Sequence, residues 1–157
     1  MAYLLISENE LAANKANLVI AADADIRYVT ETVERPVEAK GYEIIDESGT
    51  LQQAGVIVLN NIPISKEGQA AFEERFLGRA RAIEKTPGFV AIRVLRPLDD
   101  ETYVVLTQWE SEQAFRDWQQ SSAYEKAHKK RNTSEGLDQR PGVLSNKPYH
   151  KVYGVQQ

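Results

Sequence analysis

The residues able to do chemistry in this chain are few, and most familiar sites can be struck out at once. Cysteine is absent, which excludes thiolate nucleophiles, disulfides, iron–sulfur clusters and Cys-ligated metals. Only two histidines occur, His128 and His150, so a three-histidine zinc site cannot form, and no His-Glu-x-x-His run is present. There is no phosphate loop, no dinucleotide-binding glycine fingerprint and no nucleophile elbow. Asp23 and Asp25 lack the glycine and distal glutamate of a calcium loop. Glu73 and Glu74 are neighbours on a helix and diverge, and Asp99 and Asp100 fall in a turn, so neither pair is spaced for acid–base work. What remains is His128, which follows an aromatic helix and precedes a basic segment. Beside it stand Trp118, which shares a helical face with Ala114 and Phe115, and Asn60, which interrupts an apolar strand. Asparagine is disfavoured inside strands and, if buried, needs hydrogen-bond partners. Taken singly, each has an ordinary explanation: a surface histidine, a core tryptophan, a strand-end asparagine.

The elements that must position these residues are clearest after residue 55. GVIVLNNIPI (55–64) is β-branched and reads as a strand. Ser65 can cap the helix that follows, in which Phe72, Phe76, Ala80 and Ile83 recur at core-facing intervals until Thr86-Pro87-Gly88 stops it. Strands at 89–97 and 102–110 form a hairpin around Leu98-Asp99-Asp100, Ser111 caps a second helix, and 149–155 is a last strand. The order β-α-β-β-α-β is that of a ferredoxin-like α+β unit. Ser122 and Glu125 have capping-box spacing, which predicts a helix break after Trp118. Without a break, ten residues of helix would rotate His128 about 280° away from Trp118. Residues 129–147 then form a long connection of the kind often used functionally.

Residues 1–54 read differently. Short strands are expected at 2–6, 18–22, 26–31 and 42–47, with a short helix allowed at 8–17 and Pro36 opposing one at 33–40. No internal sequence repeat is visible. The expected organisation is a strand-rich extension, 1–54, packed on a main domain, 55–157.

The net charge of −4 argues against a dedicated nucleic-acid partner. Charge is unevenly spread, because residues 126–151 carry seven bases and two acids and can attract a small anion. No apolar run is long enough to cross a bilayer, and the start MAYLLISENE lacks the pattern of a signal peptide. A cytoplasmic location is expected.

Residues 55–155 resemble the antibiotic-biosynthesis-monooxygenase superfamily of dimeric α+β barrels, and within it the IsdG-type heme-degrading monooxygenases. The segment WESEQAFRDWQQSSAYEKAH (109–128) carries the resemblance, together with VIVLNNIPISKEG (56–68). The Trp-Glu-Ser start marks the superfamily, whereas the set Asn60, Trp118 and His128 points to heme. The resemblance implies that His128 ligates the heme iron, that Trp118 presses on the porphyrin face, that Asn60 hydrogen-bonds on the distal side, and that Phe76 lines the pocket. Heme is then both cofactor and substrate, opened by O2 with electrons from an external donor and with release of iron. Lys129, Lys130, Arg131 and Arg140 follow the ligand and can meet the propionates, and Arg131 is a candidate cofactor-binding residue. The superfamily commonly forms homodimers; the extension at 1–54 predicts a monomer instead. Two other readings stay open: a cofactor-independent monooxygenase of a quinol or polyketide-like aromatic, and a non-catalytic small-ligand-binding barrel.

Overall fold

A computed structural model describes residues 2–9, 16–36, 40–78, 82–98, 102–120 and 148–156. Eight strands form a closed barrel: β1 (Tyr3–Ser7), β2 (Leu18–Ala22), β3 (Asp25–Thr32), β4 (Lys40–Ser48), β5 (Val56–Pro63), β6 (Phe89–Pro97), β7 (Thr102–Trp109) and β8 (Tyr149–Gln156). Two helices are described, α1 (Gln69–Leu77) and α2 (Glu112–Gln119). Around the barrel the strands run β1-β3-β2-β8-β5-β7-β6-β4, every pair antiparallel. The ferredoxin-like unit supplies β8-β5-β7-β6 with both helices. The first four strands supply the other half as β4-β1-β3-β2.

The two halves therefore have the same strand order, although no sequence repeat announces it. Their registers match as well. Ile6 pairs with Val29 and Leu4 with Tyr42 in one half, as Leu59 pairs with Leu106 and Ile57 with Tyr153 in the other. Where the second half has Asn60 opposite Val105, the first has Ser7 opposite Tyr28.

Side chains alternate across each strand, so one set from every strand meets inside the barrel. Leu4, Ile6, Leu18, Ile20, Val29, Tyr42, Ile57, Leu59, Leu95, Val104, Leu106 and Tyr153 form that interior, which is packed rather than hollow. Charge is paired towards either end of β3. Arg27 bonds Asp25 at 2.7 Å and Glu8 at 3.0 Å, and Asp25 also takes Lys151 and the Tyr153 hydroxyl. Arg93, only 4% exposed, bonds Glu31 and donates to the Ser48 and Ile92 carbonyls. Desolvation of so buried a guanidinium demands this full set of partners.

The outward rows of β5–β8 carry two further apolar clusters, one under each helix. Ile64, Phe72 and Tyr103 pack with Ile45, Ile62 and Phe76 under α1. Val58, Trp109 and Phe115 pack with Val56, Ile83, Phe89, Ala114, Trp118 and Val152 under α2. The single long first helix expected from the sequence is instead a 3-10 turn at Lys66–Gly68, capped by Ser65, then α1, then a second 3-10 turn at Ala82–Lys85. Gly78 caps α1 and removes the propensity to continue. Hence Ile83 joins the α2 cluster rather than the face of Phe72 and Phe76. Ala80, the possible helix at 8–17 over most of its length and the restart at Ser122 lie outside the described residues.

Candidate active site on the helix-covered sheet face

Along β5, residues 57 and 59 enter the barrel, while 56, 58, 60 and 62 face the helices. Val56 and Val58 belong to the α2 cluster and Ile62 to the α1 cluster. Asn60 falls between them, half-buried, and is the one polar residue in this row. Among the described residues its side chain takes part in no hydrogen bond. Its neighbours across the sheet are Val105 on β7 and His150 on β8. An apolar residue here would close the row into one continuous core; the amide leaves a polar group among apolar walls.

Those walls are positioned by both helices. Phe76 reaches the site from α1, its ring 5.5 Å from Phe72, which stacks edge-on against Tyr103 at 4.8 Å. An ionic brace holds α1 down. Glu73 accepts hydrogen bonds from Arg96 and from the Tyr103 hydroxyl, and Arg96 also bonds Glu43 of β4 at 2.8 Å. The Arg96 guanidinium keeps the Glu73 carboxyl below the usual carboxylate range, whereas burial and the adjacent Glu73 push the Tyr103 phenol up.

Trp118 comes from α2. The Ser111 hydroxyl accepts from the Ala114 amide and starts the helix, and Gln120 ends it. Trp118 lies 5.6 Å from Trp109 and 6.2 Å from Phe115, ring to ring. Trp109 is fully buried and donates to Thr107, so Trp118 rests on a fixed aromatic base. Gly88 lets the preceding turn approach this helix: its φ is +84°, and a Cβ there would meet that of Ala114 at 2.5 Å.

Of the residues picked out in the sequence, Asn60, Phe76 and Trp118 are thus arranged around one sheet face. His128 and the basic residues Lys129, Lys130, Arg131 and Arg140 lie outside the described residues. His150 received no role from the sequence, yet the register places it directly across from Asn60, with its ring 5.7 Å from Phe115 and edge-on. The signal that finds it is topological: in a ferredoxin-like sheet the last strand flanks the first. A surface depression of about 450 Å³, lined by Thr86, Gly88, Glu110 and Asp117 among others, touches Trp118 but not Asn60, Phe76 or His150. Its rim is acidic and it is open to solvent, so it does not suit an anionic ligand. No cluster of three metal-ligating side chains exists among the described residues, and no described helix is long and apolar enough to cross a membrane.

The family model for antibiotic biosynthesis monooxygenases matches residues 55–130. A heme oxygenase (mycobilin-producing) of Mycobacterium tuberculosis is 41% identical over 64 residues, which cover 40% of this chain and 61% of that protein. The chain spans about three fifths of the length of the curated relatives it matches. Among solved structures, a heme-degrader from Mycobacterium tuberculosis with two hemes bound in its active site is 30% identical, with a TM-score of 0.50 over 63% of this chain and 93% of that one. A staphylococcal pathogenesis regulator is similar over 98% of this chain and 99% of its own, with a TM-score of 0.80; at 18% identity this likeness is one of fold. The strand order, the aromatic helix and these matches agree, and the chain belongs to the antibiotic biosynthesis monooxygenase family.

Proposed function

We propose that this protein binds heme through His128 and opens the porphyrin oxidatively with O2 and an external reductant, releasing iron. The observation that carries the reading is Asn60: one amide, unengaged among the described residues, set between the apolar cluster that includes Phe76 and the one that includes Trp118. A large apolar disc with polar edges fits such a surface, which offers flat aromatic walls and a single orienting polar group. The heme-degrading relatives support the same choice of ligand.

The chain's own residues divide the work. The His128 imidazole would hold the heme iron. Trp118, backed by Trp109 and Phe115, is a stiff wall that resists displacement when a planar ligand presses on it. Phe76 supplies the apolar wall from the α1 side. The Asn60 amide donates or accepts a hydrogen bond in a region of low local dielectric, where such a bond is strengthened. The basic residues after His128, Arg131 among them, attract the propionates. Bound heme supplies the redox-active iron and the ring carbon that is oxidised.

Titration with hemin, followed in the Soret region, tests the binding step. Wild type is expected to saturate with a shifted band, and His128→Ala to lose that shift. Absence of saturable binding by wild type contradicts the reading.

The division at residue 54 is, in the same account, that of a half-barrel that substitutes for a second subunit. The first half pairs with the second at β2–β8 and β4–β6. One chain then makes the whole barrel.

A further inference from the structure

We propose that His150 is a ligand-contacting residue of this site, and that its imidazole donates a hydrogen bond to a carboxylate of the bound tetrapyrrole. The proposal rests on the heme reading above and adds a residue to it. Asn60 and His150 face each other across the antiparallel β5–β8 pair. Directly opposed residues hold their Cβ atoms about 5 Å apart on one face of a sheet. The His150 ring meets Phe115 edge-on at 5.7 Å, and Phe115 in turn meets Trp118 at 6.2 Å. His150 is therefore the link between Asn60 on the sheet and Trp118 on the helix. It is exposed, and among the described residues neither ring nitrogen is hydrogen-bonded, so the packing against Phe115 aims the ring without consuming its polar atoms.

The position selects the part of the ligand it meets. Asn60 is half-buried between apolar clusters, whereas His150 stands at the solvent edge of the same row. An amphipathic disc seated here buries its apolar body and leaves its carboxylates at that edge, where a nitrogen donor is worth most. The adjacent cation, Lys151, points the other way and is engaged by Asp25 at 2.6 Å.

The test compares hemin with hemin dimethyl ester, in wild type and His150→Phe, by Soret titration. Phenylalanine keeps a ring against Phe115 and removes both nitrogens; thermal melting checks that the fold is unchanged. Expected is a wild-type preference for hemin over the ester, and a loss of about tenfold in hemin affinity in the variant with ester affinity unchanged. An unaltered preference in the variant overturns the role of His150 alone. Equal weakening for both ligands also overturns it, because it assigns His150 to packing. Failure of wild type to bind hemin removes the heme reading and this proposal together, and is distinguished by the wild-type titration itself.

Discussion

Asn60 interrupts the helix-facing row of β5 with an amide. Val56, Val58 and Ile62 would make an unbroken apolar row with a branched residue at position 60; Asn60 breaks it. A site that sacrifices local stability for a polar group predicts a trade-off. Asn60→Val is expected to raise stability by up to about 1 kcal/mol, measured by denaturant unfolding, while lowering the rate of hemin loss under reductant and O2 at least tenfold. Unchanged turnover in that variant removes Asn60 from the reaction. The oddity of Asn60 was legible in the sequence, because strand propensity alone marks it. The placement of His150 was not, because it depends on which strand lies beside β5, and that pairing joins residues as far apart in the chain as Asn60 and His150.

At the scale of elements, strand positions were legible almost to the residue, since β-branched runs bounded by glycine, proline and polar clusters leave little latitude. Strands β2 and β6 match expectation at both ends. The first helix was not, because its core-facing periodicity continues past Gly78 while the backbone does not. Phe72 and Ile83 keep helical spacing but serve different clusters. What fixes α1 instead is the brace of Glu73, Arg96, Tyr103 and Glu43. Glu73 and Asp25 both have carboxyl pKa values depressed in the folded state, chiefly through their hydrogen bonds to Arg96 and Arg27 respectively. A depressed carboxylate contributes stability that is complete above its unfolded pKa and is lost as pH falls towards the folded value. Stability is therefore expected to decline from about pH 5 downwards. Glu73→Gln should flatten that decline while lowering stability at pH 7, as read from denaturation midpoints. An unchanged acid slope in the variant would show that Glu73 contributes nothing to it.

At the scale of the molecule, the barrel explains why the first 54 residues contribute four strands. They repeat the strand order of the second half and close its edges. In the place of Asn60 they carry Ser7, which is 5% exposed and accepts a hydrogen bond from the Asn9 backbone amide, so this position offers an engaged hydroxyl instead of a side-chain amide. The strands of this half and its packing on the main unit were expected from the sequence; the repeated strand order was not, because the halves share pairing geometry and apolar character with few identities, such as Tyr42 and Tyr153. A closed barrel has no strand edge left for a partner. Light scattering at micromolar concentration is expected to return the mass of one chain, 17.7 kDa. A mass twice that would show that the first half does not replace a subunit. The proposed heme opening is tested by mixing the hemin-loaded protein with ascorbate in air and following the Soret band together with chelatable iron. Expected is loss of the band with release of one iron per heme, and neither change in His128→Ala. A Soret band that persists under these conditions, with no iron released, would contradict it.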